Sequence, residues 1–290
     1  MRKIIFKVLF AILLVCIIDY VYLFSNDNAK SLDFKSNVYR INSGIIVRKE
    51  ASNHNSNPDL VNIVFPDEDV YATEVPVLNY HFFYNPNDEY CDSVLCLNIY
   101  RFEEQIKYLL DNDYKILTLN EFIRWKNGEK KLPKKSVLIT IDDGAKGTGL
   151  NNGNQLIPVL EKYKVNAVLF LITAWFDYDD YKSEYLNVQS HGHDIHYYGE
   201  CNAKQIHCIN HEVLKSDISK SIEIVGDNSA FAYPFFEYTV DSLSVLEELD
   251  VDVAFIGGNR KASISDNKYL IPRYEILSKT TMNQFASYVK

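Results

Sequence analysis

From Val75 onward, short runs of β-branched and aromatic residues alternate with stretches whose apolar positions recur at helical spacing. Residues 76–81, 136–141, 166–173, 187–191, 230–235, 253–256 and 271–276 read as strands. Between them, Phe102/Ile106/Leu109/Leu110, Leu156/Val159/Leu160/Tyr163, Leu214/Ile218/Ile222/Val225 and Met282/Phe285/Val289 fall on helical stripes. Wholly apolar strands such as Val137-Leu138-Ile139 alternating with one-faced helices predict an α/β domain, its parallel sheet open or closed into a barrel. In either form ligands gather at the C-terminal strand ends.

Residues 75–290 are therefore read as the globular domain. Residues 25–74 are polar and without sustained periodicity, with possible strands at 43–47 and 61–65, and read as a stem. Residues 4–24 are almost all apolar after a Met1-Arg2-Lys3 start, long enough to approach the roughly 30 Å hydrocarbon core of a bilayer. They predict an uncleaved transmembrane anchor or a cleaved signal segment. The basic start would keep the N-terminus cytoplasmic, so the expected location is a single-pass membrane protein with an extracytoplasmic domain, secreted if cleaved.

The 290 residues are 47% hydrophobic, enough for a sizeable core, and a formal charge of -9 leaves little basic surface for a polyphosphate. Nucleic acid is excluded as a natural partner. After Cys16 the cysteines fall into two close pairs, Cys91/Cys96 and Cys201/Cys208, compatible with two local disulfides in an exported domain or with four free thiols.

Chemistry concentrates at three predicted strand ends. Residues 136–141 run into Asp142-Asp143-Gly144, and because adjacent strand residues face opposite ways, one carboxylate can hold a metal while the other handles protons. Residues 187–191 run into His191-Gly192-His193-Asp194-Ile195-His196. On a helix His191 and His196 would lie ~140° apart, so they converge only from a strand end and the loop after it; His193 stays open as a third ligand. Residues 76–81 end at His81. Taken singly, each has a bland reading as a turn, a solvated loop or a structural histidine. Together, two aspartates and three histidines at strand ends are the inventory of metal-assisted hydrolysis.

The order Val77-Leu78-Asn79-Tyr80-His81, Thr140-Ile141-Asp142-Asp143-Gly144, Gln189-Ser190-His191 with His196, Phe231-Ala232-Tyr233-Pro234-Phe235 and Ile271-Pro272-Arg273 resembles the polysaccharide deacetylases with a NodB homology domain. The Tyr-His pair and the five-residue histidine spacing resemble the branch that N-deacetylates poly-β-1,6-N-acetylglucosamine. The resemblance implies an irregular (β/α) barrel and a divalent metal, zinc first, bound by Asp143, His191 and His196. It further implies Asp142 as general base, His81 as general acid, Arg273 orienting the base, and the Phe235 backbone N–H at the oxyanion. Tyr233, Phe235 and Tyr238 are candidates to line a sugar groove.

Three positions depart from the family pattern: Gly192 stands for Ser or Thr, Phe236 for Gly, and Ala232 for Arg. The expected function is a metal-dependent N-deacetylase of an N-acetylglucosamine-containing polysaccharide. The alternatives are a catalytically weak glycan-binding surface protein on the same fold, or a deacetylase of peptidoglycan- or chitin-type glycans.

Overall fold

A computed structural model describes residues 71–290, apart from 88–89 and 145–154, together with three short strands nearer the N-terminus. The chain separates into two compact units, Met1–Pro66 and Asp67–Lys290. In the first, β1 (Val38–Arg40), β2 (Ile46–Arg48) and β3 (Asn62–Val64) form an antiparallel sheet.

The second unit opens with β4 (Glu74–Val75), β5 (Val77–Tyr80), β6 (Phe82–Tyr84) and β7 (Cys96–Asn98), then α1 (Ile99–Asp111), β8 (Lys115–Ile116) and α2 (Leu119–Lys126). After these come β9 (Ser136–Ile141), α3 (Leu156–Tyr163), β10 (Ala167–Leu171), β11 (Leu186–Ser190) and α4 (His211–Val225). The chain ends with β12 (Ala230–Ala232), α5 (Val240–Glu248), β13 (Val253–Phe255), β14 (Ala262–Ser263), β15 (Tyr274–Glu275) and α6 (Met282–Val289). Polar caps set the helix starts. Thr118 and Glu121 bond reciprocally at α2, as Thr239 and Ser242 do at α5 and Thr281 and Gln284 at α6.

The main sheet runs β13-β12-β11-β10-β9-β5-β15, with β8 also on β9, and its pairings are parallel. β9 and β10 are buried along their whole length, as parallel strands covered on both faces must be. Alternation divides the core: Val137, Ile139, Ile141, Ala167, Leu169 and Leu171 pack on one side, while Leu138, Val168 and Phe170 pack on the other with Phe122 and Phe255.

Two expectations are corrected. The sheet is not a closed barrel but an incompletely closed half-barrel: among the described residues its end strands β13 and β15 form no ladder with each other, and the segments beside them meet at the Phe255–Ile271 bridge and a few backbone bonds such as Asn259 N to Arg273 O at 3.0 Å. The second correction concerns the membrane. No described helix is long and apolar enough to cross a bilayer; the longest, α4, has 15 residues and buries only Leu214, Ile218, Ser221 and Val225. The predicted span at 4–24 lies outside the described residues. The transmembrane helix, the membrane partnership and the single-pass location therefore have no support in the structure.

Candidate active site

Strand parity explains how the site is assembled. Position 138 faces the inside of the curved sheet, so 140 and 142 do too. The same count from Val77 places Asn79 and His81 inside, and Ala230 and Ala232 are inside on β12. At the C-terminal edge these directions converge. His81, Asp142, Asp143, His191, His196 and Phe235 line one cavity of about 310 Å³, together with Leu95, Lys204, Phe236, Glu237 and Glu275.

Asp142 is 1% exposed. Arg273 donates from Nη1 to Oδ1 and from Nη2 to Oδ2, both at 2.7 Å, and Asn79 Nδ2 donates to Oδ2 at 3.1 Å. Burial alone would raise its pKa, but the Arg273 charge outweighs it and holds the carboxyl down at about 2. Arg273 is itself buried. Its Nη1 also reaches Thr140 Oγ1 at 3.2 Å, and its guanidinium carbon lies 5.4 to 5.8 Å from the ring centres of Phe236, Phe170 and Phe255.

Asp143 takes a left-handed φ of 70°, tolerated by aspartate, and its carboxylate turns toward the two histidines. Asp143 Oδ1 lies 3.4 Å from His191 Nε2 and 3.3 Å from His196 Nε2, and the three ligand atoms fall within 4.8 Å of one another. These contacts are long for charge-assisted hydrogen bonds, which run about 2.7–2.9 Å. They match the edge of a tetrahedron: bonds of about 2.0–2.1 Å to a central ion separate the donors by about 3.4 Å. His191 Nδ1 donates to the Ala232 carbonyl at 2.8 Å, so in the neutral ring Nε2 carries a lone pair facing the carboxylate. Asp143 Oδ1 is buried without a hydrogen-bond partner. A shared cation satisfies all three atoms, and the residues fit a divalent metal.

Burial, followed by the neighbouring His191, pushes His196 down to about 4, leaving it neutral near pH 7 as a ligand must be. For His191 burial acts downward, but Asp142 and Asp143 dominate and raise it. The loop joining the two histidines is fixed from α4, where Asp217 accepts from the backbone N–H of His193 at 2.7 Å and of Asp194 at 2.8 Å. Gly192 makes the turn at φ 83°, and a Cβ there would come within 2.7 Å of Ile195, which accounts for glycine at this position. His193 stands apart from the ligand cluster, its Nδ1 2.9 Å from Thr173 Oγ1.

The aromatic candidates divide. The Phe235 ring stacks 4.1 Å from that of His196, and Lys204 Nζ sits 3.6 Å above Phe235 and 3.5 Å above Tyr198. Tyr233 lies on the outward parity of β12 and is fully buried against Phe231, away from the cavity. Tyr238 is 41% exposed and leans on Tyr233 without lining the cavity. Sequence reasoning missed Asn79, Asp217, Lys204 and Glu275. Asn79 was within reach, because it precedes His81 by two and shares its face. Lys204 reaches the site through the loop closed by the Cys201–Cys208 disulfide; Cys91 and Cys96 form the other.

Residues 129–254 match the polysaccharide deacetylase family. The matched segment contains Asp142 and the candidate metal cluster Asp143, His191 and His196. The chain is 28% identical over 193 residues to poly-β-1,6-N-acetyl-D-glucosamine N-deacetylase of Staphylococcus aureus, a match covering 60% of this chain and 65% of that relative. Among solved structures it resembles IcaB from Ammonifex degensii, with TM-score 0.63, 21% identity and coverage of 76% of this chain and 98% of that one. It also resembles the Streptococcus pyogenes deacetylase PplD in complex with acetate, with TM-score 0.61, 19% identity and coverage of 75% and 98%. These two structural likenesses concern the fold.

Proposed function

We propose that this chain is a metal-dependent N-deacetylase of an N-acetylglucosamine-containing polysaccharide, with poly-β-1,6-N-acetylglucosamine as the favoured polymer. The observation that carries the reading is the pairing of two different aspartate environments at one strand end. Asp143 is turned to two histidine nitrogens at metal-ligand spacing, while Asp142 is locked to Arg273 and faces the same cavity. A glycan-binding surface would need neither arrangement.

In this reading Asp143, His191 and His196 hold the ion, and zinc best suits two imidazoles and a carboxylate with a place left open. A divalent ion held there would lower the pKa of water toward neutrality and polarise the acetamide carbonyl. Asp142, anionic across the working pH range, takes the proton of the attacking water. Arg273 and Asn79 fix the direction of its carboxylate. His81, buried at the cavity wall with Nδ1 free of protein partners, protonates the departing amine nitrogen. The carbon–nitrogen bond breaks, leaving acetate and a free amine on the sugar. The Phe235 backbone N–H serves the developing oxyanion. Two disulfides suit an oxidising compartment.

The preference for the β-1,6 polymer is supported by the Staphylococcus aureus relative and by the histidine spacing. It is tested by acetate release from poly-β-1,6-N-acetylglucosamine, chitooligosaccharides and peptidoglycan under identical conditions. Fastest release from the first supports the polymer assignment, release only from the others reassigns the substrate, and no release from any ends the deacetylase reading.

A further inference from the structure

Next to the metal-ligand cluster the backbone does something large side chains rarely do. Phe235 and Phe236 are consecutively left-handed, at φ 57° and 64°, a conformation that non-glycine residues keep only where their surroundings impose it. The Phe236 ring is held on three sides. Its centre is 5.4 Å from the Arg273 guanidinium carbon and 6.3 Å from the His81 ring, and it packs on Gly257, where an added Cβ would approach it to 3.1 Å. Behind it lies a second cavity of about 100 Å³ lined by Asn79, Gly257, Gly258, Asn259 and Arg273. Phe236 and Glu275 line both this cavity and the one holding the metal ligands.

We propose that Phe236 determines which N-acyl group the site accepts, by closing off a polar pocket that would otherwise extend the catalytic cavity and admit a short hydroxylated acyl group such as glycolyl. The inference rests on the deacetylase reading above. Beyond the Phe236 ring and the backbone of Gly257 and Gly258, the pocket wall is made of the Asn79 and Asn259 amides, the Glu275 carboxylate and the Arg273 guanidinium, which offer a hydroxyl both donors and acceptors and offer an added methyl nothing. With the ring in place, space beside the reacting carbonyl ends at Phe236, and acetyl is the group that fits. Without the ring, the same hydrolysis, in which water adds and the carbon–nitrogen bond breaks to release the acid and the free amine, extends to glycolyl amides.

The test compares kcat/KM of the metal-loaded chain on matched glucosamine oligomers carrying N-acetyl, N-glycolyl or N-propionyl groups, with metal content measured on each preparation. Phe236→Gly removes the ring and suits the left-handed backbone, Phe236→Ala gives the same readout should the glycine variant not fold, and Phe236→Leu keeps bulk. The glycolyl-to-acetyl ratio is expected to rise about tenfold in the glycine variant, the scale on which pocket contacts discriminate substrates. The propionyl-to-acetyl ratio should move less, and the leucine variant should stay near the wild-type ratio. An unchanged glycolyl-to-acetyl ratio at full metal content overturns the proposal while leaving the deacetylase reading intact. An equal gain for propionyl overturns the polar pocket. If the wild-type chain releases no acid from any oligomer, it is the deacetylase reading that has failed, and this inference falls with it.

Discussion

Arg273 holds Asp142 by both oxygens, two parallel bonds of 2.7 Å between side chains almost wholly removed from solvent. A planar guanidinium matches a carboxylate in this way and a lysine ammonium cannot. Arg273→Lys should therefore keep a positive charge near Asp142 yet let the carboxylate swing. The expected result is a fall of about a hundredfold in kcat, the usual scale for a positioned base, with a smaller change in KM and with metal content retained. The acid limb of the pH–rate profile should also move up, since a weaker partner lets the Asp142 pKa rise from about 2. Steady-state kinetics across pH, beside metal analysis, checks this; equal loss of metal and activity would make Arg273 merely structural.

Glu121 caps α2 and accepts from Lys115 at 2.6 Å and Lys130 at 2.7 Å. Burial acts to raise its pKa, but the two lysines and the Thr118 backbone outweigh it and hold it at about 2, against 4.5 ordinarily. A depressed folded-state pKa contributes stability above the unfolded value and loses it as pH falls through the folded one. Glu121→Gln should thus be less stable than wild type by about 1 kcal/mol near neutrality, the scale for partly solvated pairs. The gap should close as pH falls from about 4.5 to about 2. Denaturant unfolding of both proteins across that range measures it.

Much of the site was legible because it lies at strand ends. The strand at 136–141 coincides with β9, and the Asp-Asp and His-Gly-His segments emerge where a parallel sheet presents its ligands. Tyr233 shows what parity would have added: counting from Ala232 turns its ring outward into the core around Phe231. Arg273 was legible only as a charge after a proline, because its aromatic surroundings come from three separate segments. Lys204 carried no local signal, since the loop closed by the Cys201–Cys208 disulfide brings it to the cavity. α2 and α5 were passed over as short amphipathic segments set by caps rather than by long periodicity. Closure of the sheet turned on the few backbone bonds around the Phe255–Ile271 bridge, which no hydrophobic pattern records.

The Cys201–Cys208 bond closes the loop that carries Lys204 over Phe235. For so short a loop, the paired Cys201→Ser and Cys208→Ser substitutions should cost about 2 kcal/mol of stability by chain entropy. Backbone amides of residues 197–208 should exchange faster with solvent, and KM should rise more than kcat falls, because the metal ligands stand outside the loop. Hydrogen exchange by mass spectrometry, with kinetics on the same material, reads both effects. Unaltered exchange in that segment would show that other contacts hold the loop.

The central claim is that two chemically identical neighbours do different work, Asp143 holding a metal and Asp142 moving a proton. The most direct measurement is metal stoichiometry beside acetate release on single preparations of Asp142→Asn and Asp143→Asn, with His191→Ala and His196→Ala as companions. The account predicts that Asp143→Asn and both histidine variants lose metal. It predicts that Asp142→Asn keeps metal and loses about a hundredfold or more in turnover. An Asp142→Asn protein emptied of metal beside a fully loaded Asp143→Asn protein would reverse the assignment, and full activity with full metal in both would contradict the enzyme account itself.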